Sequence, residues 1–146
     1  PGMVVADIGA NLGYFSLLMA ELVGRDGFVH AFEPNPMIAR RLRNSLDVNG
    51  FHARSAVHEV ALGATDGDAM AFVVPPGEPK NGHLVAFEGE LPAGASLVHT
   101  RRLDGDADWS KIEFAKIDVE GGEEPDRPGK RLAKPRRKKK PGKPGE

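Results

Sequence analysis

The chain has 146 residues, 40% of them hydrophobic, and a formal net charge of -1. This size suits one domain with a single core. The absence of cysteine excludes a disulfide framework and a thiolate metal site. Apolar runs stay shorter than the roughly 18 residues of a membrane span, and no charged and apolar leader opens the chain, so we expect a cytoplasmic protein without membrane contact.

Charge is distributed unevenly along the chain. Residues 124–146 contain ten of the 20 Lys and Arg but only three of the 21 acidic residues, whereas residues 1–123 contain ten basic and eighteen acidic residues. The 124–146 segment is rich in Pro and Gly and has no apolar periodicity, so it cannot bury enough surface to offset its ordering entropy. We therefore predict a folded domain over 1–123 and a disordered basic tail over 124–146.

The first part of the domain alternates strands with helices. Strands are predicted at 3–7, 28–32 and 56–60, and helices at 13–23 and 35–48. Apolar residues at helical spacing predict the buried faces of the two helices: Phe15, Leu18 and Leu22 in the first, and Ile38, Leu42 and Leu46 in the second.

The middle of the domain is richer in β-type segments. Runs at 69–74, 83–88 and 96–102 predict an antiparallel excursion before a last core strand at 112–118. The alternation around this excursion predicts an α/β fold with a doubly wound, mostly parallel sheet.

Residues 4–16, VVADIGANLGYFS, form an apolar run, a glycine-rich turn and the start of an amphipathic segment. Such a strand, loop and helix place backbone N–H groups and a positive helix end at the carboxyl edge of a parallel sheet. A nucleotide-like cofactor is the first hypothesis. The alternative is that the glycines only form a tight turn and Asp7 caps the helix.

Asp7 indicates which nucleotide-like cofactor fits. A carboxylate two residues before Gly9 would repel a pyrophosphate, and the spacing of Gly9 and Gly13 does not match G-x-G-x-x-G, which disfavours a nicotinamide-dependent oxidoreductase. An acidic residue instead favours a ligand with an ammonium and a sulfonium, such as S-adenosylmethionine.

Glu33 gives a second signal for a nucleoside. It ends the β-type run FVHAFE, 26 positions after Asp7 and so one strand-helix-strand unit later. An acidic residue at about this distance typically accepts hydrogen bonds from ribose hydroxyls. The alternative is a solvated carboxylate at the end of a strand.

Together these segments resemble the FkbM-type methyltransferases over about residues 3–123. The strings that carry the resemblance are DIGANLGYFS at 7–16, FEPNP at 32–36, NG at 49–50, ALG at 61–63 and KIDVEG at 116–121. The resemblance implies a Rossmann-like class I methyltransferase that uses S-adenosylmethionine and methylates an oxygen of a sugar, polyketide or other small natural product. On this basis we expect the cofactor to contact Asp7, Gly9, Ala10, Asn11, Gly13, Glu33, Pro34, Asn35, Ala61 and Leu62.

The KIDVEG string supplies the candidate catalytic residues. If its strand runs parallel to the first strand, Asp118 and Glu120 emerge at the carboxyl edge beside the glycine loop. Asp118 would then orient the acceptor or the cofactor, and Glu120 would take up the hydroxyl proton. The alternative is a structural pair that caps the next helix.

Metal sites have weaker support in the sequence. Asp118, Glu120 and Glu123 could hold Mg²⁺, but three nearby acids are not a specific signal, so we expect no metal. The five histidines show no ligand spacing; His83, in the excursion, is a candidate substrate-side group, although a solvated loop histidine is the simpler interpretation.

The resemblance ends near Glu123, where a Pro, Gly and Lys tail follows directly. We therefore expect a fragment whose fold is incomplete at its C-terminus, with a tail that an altered reading frame explains, and with little activity. The 112–118 strand would be an exposed edge that favours self-association. The alternative function is a catalytically incomplete protein that binds the cofactor, or that binds polyanions nonspecifically through the basic run at 136–143.

Overall fold

The computed structural model of the chain describes residues 1–77, 82–106 and 108–119. Two α-helices lie in this part, α1 at Tyr14–Val23 and α2 at Pro36–Val48. Its strands are β1 Val4–Ile8, β2 Phe28–Phe32, β3 Ser55–His58, β4 Ala61–Leu62, β5 Ala69–Val73, β6 His83–Ala86, β7 Ser96–Arg101 and β8 Phe114–Ile117. Short 3₁₀ helices occupy His52–Arg54 and Trp109–Lys111.

Four parallel strands form the main sheet, in the order β3-β2-β1-β8. Strand β1 is central, with β2 on one side and β8, over a hundred residues later in the chain, on the other. Val5 and Val29 pack with Leu42 and Leu46 of α2 on one face of this sheet. The predicted α/β fold with a mostly parallel, Rossmann-like sheet is confirmed.

Helix α1 packs differently from the prediction. Its buried residues are Ser16, Ala20 and Val23, whereas Phe15, Leu18 and Leu22 are 42%, 47% and 62% exposed. The prediction that the larger side chains face the sheet is therefore wrong. Small side chains bring the helix backbone close to the sheet, Leu17 and Met19 pack partly buried beside them, and the three exposed side chains point outward.

Helix α2 follows the prediction closely. The side chain of Asn35 accepts hydrogen bonds from the N–H groups of Met37 and Ile38, and Pro36 occupies the first helical position, where its missing N–H costs nothing. Leu42 and Leu46 are buried on the predicted face. This well-defined N-terminus fixes α2 directly after the end of β2.

The predicted antiparallel excursion is a second four-stranded sheet in the order β4-β7-β5-β6. Strand β5 pairs antiparallel with β6 and β7, and β4 pairs parallel with β7. Residues that flank this sheet in the chain, among them Trp109, pack with Ile8 and Phe32 on the face of the main sheet opposite α1 and α2. The excursion therefore leads the chain across the main sheet from β3 to β8.

Strand β8 is the outer strand of the described main sheet, and Phe114, Ile117 and Val119 are more than half exposed there. The expected exposed edge is thus present among the described residues. The predicted disordered tail at 124–146 lies outside them. Neither described helix is long and apolar enough to cross a membrane.

Candidate cofactor-binding site

The strand order reverses between β1 and β8, which is where open parallel sheets form a ligand crevice at the carboxyl ends of the strands. The chain passes from β1 outward to β2 and β3, and then returns to the other side of β1 with β8. In open parallel sheets, ligands bind at the carboxyl ends of the strands where the strand order reverses in this way. Ile8 ends β1 at this point, and its carbonyl accepts a hydrogen bond of 2.9 Å from the N–H of Asp118.

The glycine loop after β1 is shaped by close packing. Gly9 has φ +74°, and a Cβ there would lie 2.0 Å from the carbonyl oxygen of Asp118. Gly13 has φ +91°, and a Cβ there would lie 2.2 Å from Cδ1 of Leu42. Both positions therefore require glycine, for backbone conformation and for space.

The loop N–H groups donate within the protein. Those of Gly9 and Ala10 donate to the carbonyl of Phe32, both at 3.0 Å, and that of Gly13 donates to Ala10. The sequence argument pointed these groups toward a ligand, but their described role is to tie the loop to the end of β2. The loop contributes its shape and the placement of the neighbouring carboxylates.

Glu33 is one of these carboxylates. It is 7% exposed, and its Oε2 and Oε1 accept hydrogen bonds of 2.9 Å from the N–H groups of Asn11 and Asn35. Burial raises the pKa of Glu33, while these two N–H groups oppose the rise. Each carboxylate oxygen has a second lone pair, so Glu33 can also accept from hydroxyl groups. Pro34, which is half-buried, links it to the Asn35 cap of α2.

Asp7 is fully buried at the end of β1. Its Oδ2 accepts a hydrogen bond of 2.7 Å from Oγ of Ser16, and its Oδ1 lies 3.3 Å from Nζ of Lys116. Among the described residues this Oδ1 has no hydrogen-bond donor. The N-cap of α1 is Gly13, without a side-chain cap, so the alternative in which Asp7 caps the helix does not apply.

Lys116 joins Asp7 to the predicted catalytic residue Asp118. Its Nζ lies 3.6 Å from Oδ2 of Asp118 and 4.8 Å from the centre of the Phe15 ring. The side chain of Asp118 is 69% exposed, whereas that of Lys116 is 20% exposed. Sequence reasoning quoted Lys116 but missed this role. The period of two in an extended segment could have placed Lys116 and Asp118 on the same face, but the contact with Asp7 depends on the pairing of β1 with β8.

The remaining predicted residues lie apart from these groups or beyond the described chain. Ala61 is buried in β4 opposite Thr100, and Leu62 packs on the cluster of Ile8 and Phe32. Their contact with a cofactor stays a prediction. Glu120 lies outside the described residues, as does Glu123. Within the described residues, no three His, Asp or Glu side chains are placed to hold a metal ion.

A second group of titratable residues lies on the other face of the sheet. His30 Nδ1 and His58 Nε2 are 3.0 Å apart, and we call these residues the imidazole pair. Burial lowers the pKa of both, that of His58 to about 4 with a further contribution from His30. The pair lines a groove of about 490 Å³ with Trp109 and Arg101. Sequence reasoning missed it because it searched for spacing along the chain, not for neighbours on adjacent strands.

Family comparison gives the context for this geometry. The model of the FkbM methyltransferase domain matches residues 7–125. The chain belongs to the FkbM methyltransferase family. The predicted family, the class of S-adenosylmethionine-dependent methyltransferases and the cofactor of that class are thereby confirmed.

Curated relatives match the chain over shorter segments. A protein-L-isoaspartate O-methyltransferase of Aeropyrum pernix is 43% identical over 63 residues, which are 43% of this chain and 23% of that protein. A human tRNA wybutosine-synthesizing protein 2 homolog is 42% identical over 57 residues, 39% of this chain and 12% of that protein. The match thus spans a quarter or less of the length of these relatives.

Among solved structures, the chain is similar to the methyltransferase FkbM of Methylobacillus flagellatus, with 20% identity and a TM-score of 0.49. That similarity covers 83% of this chain and 26% of the other.

Proposed function

We propose that this chain binds S-adenosylmethionine at the crevice between β1 and β8 and contributes to methylation of an oxygen atom, a hydroxyl of a sugar or small natural product. The observation that carries the proposal is the pair of buried carboxylates, Asp7 and Glu33, at neighbouring strand ends around a loop that only glycine can form. Burying two carboxylates is costly unless they are held by donors or cations. A ligand with ribose hydroxyls and positive charges suits that arrangement.

The residues present fit the two polar parts of this cofactor. The free lone pairs of Glu33 suit ribose hydroxyls, because the N–H groups of Asn11 and Asn35 already hold its carboxylate in place. The two carboxylates of Asp7 and Asp118 surround the single ammonium of Lys116, so this group of three side chains carries a net negative charge. When bound, the cofactor supplies an electrophilic methyl group on a positively charged sulfur.

Asp118 is the proposed acceptor-side residue. Its exposed carboxylate leaves room for a second molecule, in contrast to Asp7 and Glu33. A hydroxyl that donates a hydrogen bond to Asp118 would be oriented for attack, and orientation within about 1 Å alters rates by roughly a hundredfold. Glu120 remains the proposed base for the hydroxyl proton, on the evidence of the sequence alone.

The acceptor class rests on family resemblance, and the relatives offer an alternative. The isoaspartate enzyme transfers a methyl group to oxygen, as proposed here, but its named acceptor is a protein, and the wybutosine protein is named for tRNA. A macromolecular acceptor is therefore the competing outcome. Assays with radiolabelled donor should include sugars and small hydroxylated compounds beside isoaspartyl peptide and tRNA.

Calorimetric titration tests the donor site directly. The full chain should bind S-adenosylmethionine and its demethylated product, S-adenosylhomocysteine, and should not bind NAD. Asp118→Asn should lower the rate of methyl transfer more than it weakens donor binding. Binding of NAD alone would contradict the proposed cofactor, and methylation of tRNA or peptide alone would contradict the proposed acceptor.

A further inference from the structure

The ammonium of Lys116 is shared between two carboxylates of different exposure. It lies 3.3 Å from the fully buried Asp7 and 3.6 Å from the exposed Asp118, so a small movement would strengthen either contact. The parallel register of β1 and β8 sets this geometry, because Asp7 lies directly opposite Lys116.

Only one of the two carboxylate oxygens of Asp7 lies beside the ammonium of Lys116. Its Oδ2 is satisfied by Ser16, whereas its Oδ1 has Lys116 as its neighbouring cation and no hydrogen-bond donor among the described residues. A buried carboxylate oxygen with a nearby cation but without a hydrogen bond is incompletely satisfied. Because this oxygen is buried, its negative charge is compensated mainly by the neighbouring ammonium of Lys116.

Lys116 also lies close to the loop that forms the cofactor crevice. A Cβ on Gly9 would meet the carbonyl of Asp118 at 2.0 Å, so the end of β8 packs directly on the glycine loop. Phe15, in the first turn of α1, lies beneath the ammonium at 4.8 Å. Contact with an aromatic ring favours keeping this cation in place.

We propose that Lys116 is a specificity-determining residue that sets how strongly the site distinguishes the charged methyl donor from its neutral product. This inference rests on the proposed function. S-adenosylmethionine carries a net charge of +1 through its sulfonium, ammonium and carboxylate, whereas S-adenosylhomocysteine is neutral overall. The fixed charge of Lys116 opposes the sulfonium and so limits the preference for the donor, which the two carboxylates would otherwise increase.

The quantity to measure is the ratio of the dissociation constant of the product to that of the donor, determined by calorimetry on the full chain. A unit charge about 10 Å away at an effective dielectric constant of about 20 changes a binding constant roughly tenfold. Lys116→Gln should therefore raise the ratio about tenfold. Lys116→Arg keeps the charge and should leave the ratio within twofold of the wild type.

Asp118→Asn removes a negative charge from the same site, so its expected effect on the ratio is opposite to that of Lys116→Gln. This carboxylate is exposed, so neutralising it carries little risk to folding. Its loss leaves the positive charge of Lys116 less compensated and should therefore lower the ratio of the product's dissociation constant to the donor's by a similar factor. Lys111→Gln is the matched control: it removes the same charge at an exposed position beside the groove on the other face of the sheet, and it should not change the ratio.

The outcomes separate the inference from the proposed function. A purely structural role for Lys116 predicts a lower melting temperature and equal weakening of both ligands, and an unchanged ratio in Lys116→Gln would overturn the inference. If Lys116→Gln does not fold, an unchanged ratio in Asp118→Asn overturns it equally. Failure of the wild type to bind either ligand would instead overturn the proposed function, and this inference with it.

Discussion

Buried titratable side chains occupy two regions of the same parallel sheet, and the protein accommodates them by opposite means. At the carboxyl ends of β1 and β2, Asp7 is held by the hydroxyl of Ser16 and the nearby charge of Lys116, and Glu33 is held by two backbone N–H groups. On the other face, the imidazole pair contacts itself and aromatic rings. The carboxylate region is built around charged groups, whereas burial disfavours the charged form of the imidazole pair.

This difference indicates which region of the fold suits a charged ligand. A groove lies beside the imidazole pair, but burial there disfavours a charged imidazole. The crevice at the glycine loop combines carboxylates with a shared cation at the reversal of strand order.

The largest effect is expected from Gly9→Ala. The added Cβ would meet the carbonyl of Asp118 at 2.0 Å and keep a strained φ, so we expect the variant to lose donor binding and more than about 3 kcal/mol of unfolding free energy. Gly50→Ala is the matched control, since Gly50 has the same φ of +74° but free space around it, and should cost about 1 kcal/mol. Equal losses in urea denaturation would contradict the packing argument.

Asp7→Asn should give the next largest effect. It removes the negative charge from an ion pair whose carboxylate is fully buried, and breaking a buried pair typically costs about 3 kcal/mol of unfolding free energy. Glu59→Gln removes a carboxylate from the exposed pair with Arg43 and should cost less than about 1 kcal/mol. Urea denaturation of both variants measures the difference; a loss below that of Glu59→Gln would mean that Asp7 contributes nothing through its charge.

Glu33→Ala should weaken donor binding by about 1 to 3 kcal/mol through lost charged hydrogen bonds. The matched control is Glu113→Ala, because Glu113 also accepts a backbone N–H, from Val4 at 3.1 Å, but at the opposite end of β1. Calorimetric titration should show unchanged donor affinity in this control. Equal affinities in the two variants would remove Glu33 from the binding site.

The smallest effect is a dependence of stability on pH. Because the pKa of His58 is lower in the folded protein than the usual 6.5, the folded state loses stability as pH falls from about 6.5 toward about 4. The lowered pKa of His30 acts in the same direction, and the raised pKa of Glu33 acts in the opposite one. His58→Gln should therefore reduce the loss of stability between pH 7 and pH 5.

The control for this measurement is His52→Gln, which alters an exposed histidine in a 3₁₀ helix. Urea denaturation at the two pH values should give the wild-type difference in this control. Glu33 is unchanged in all three proteins, so its opposing contribution cancels from the comparison. The same pH difference in His58→Gln and wild type would show that the imidazole pair does not govern the dependence.

Local patterns predicted the fold well where a residue's role depends on its own neighbours. Strand β2, the extent of α2 and the buried Leu42 and Leu46 followed from periodicity in short segments. The orientation of α1 could not be predicted in this way. Helical spacing indicates that Phe15, Leu18 and Leu22 lie on one side of the helix, but it does not indicate which side packs against the sheet.

The candidate site was predicted in part, for a similar reason. Asp7, Glu33 and the glycines were singled out from one continuous motif and one spacing rule. The ion pair of Lys116 with Asp7 requires knowledge that β8 lies beside β1 and in which register, which no local pattern contains. The imidazole pair likewise depends on the pairing of β2 with β3.

The late position of β8 in the chain has a consequence for the order of folding. Strands β1, β2 and β3 and both helices lie within the first 58 residues, but β1 obtains its second neighbour only from residues 114–117. Contacts of such long sequence separation form slowly because loop-closure entropy opposes them. We therefore expect pulsed hydrogen exchange to show protection in β2 before β8. Until that last pairing forms, the carboxylate of Asp7 lacks the neighbouring ammonium of Lys116, so we expect a newly made chain to complete the proposed donor site only in the final stage of folding.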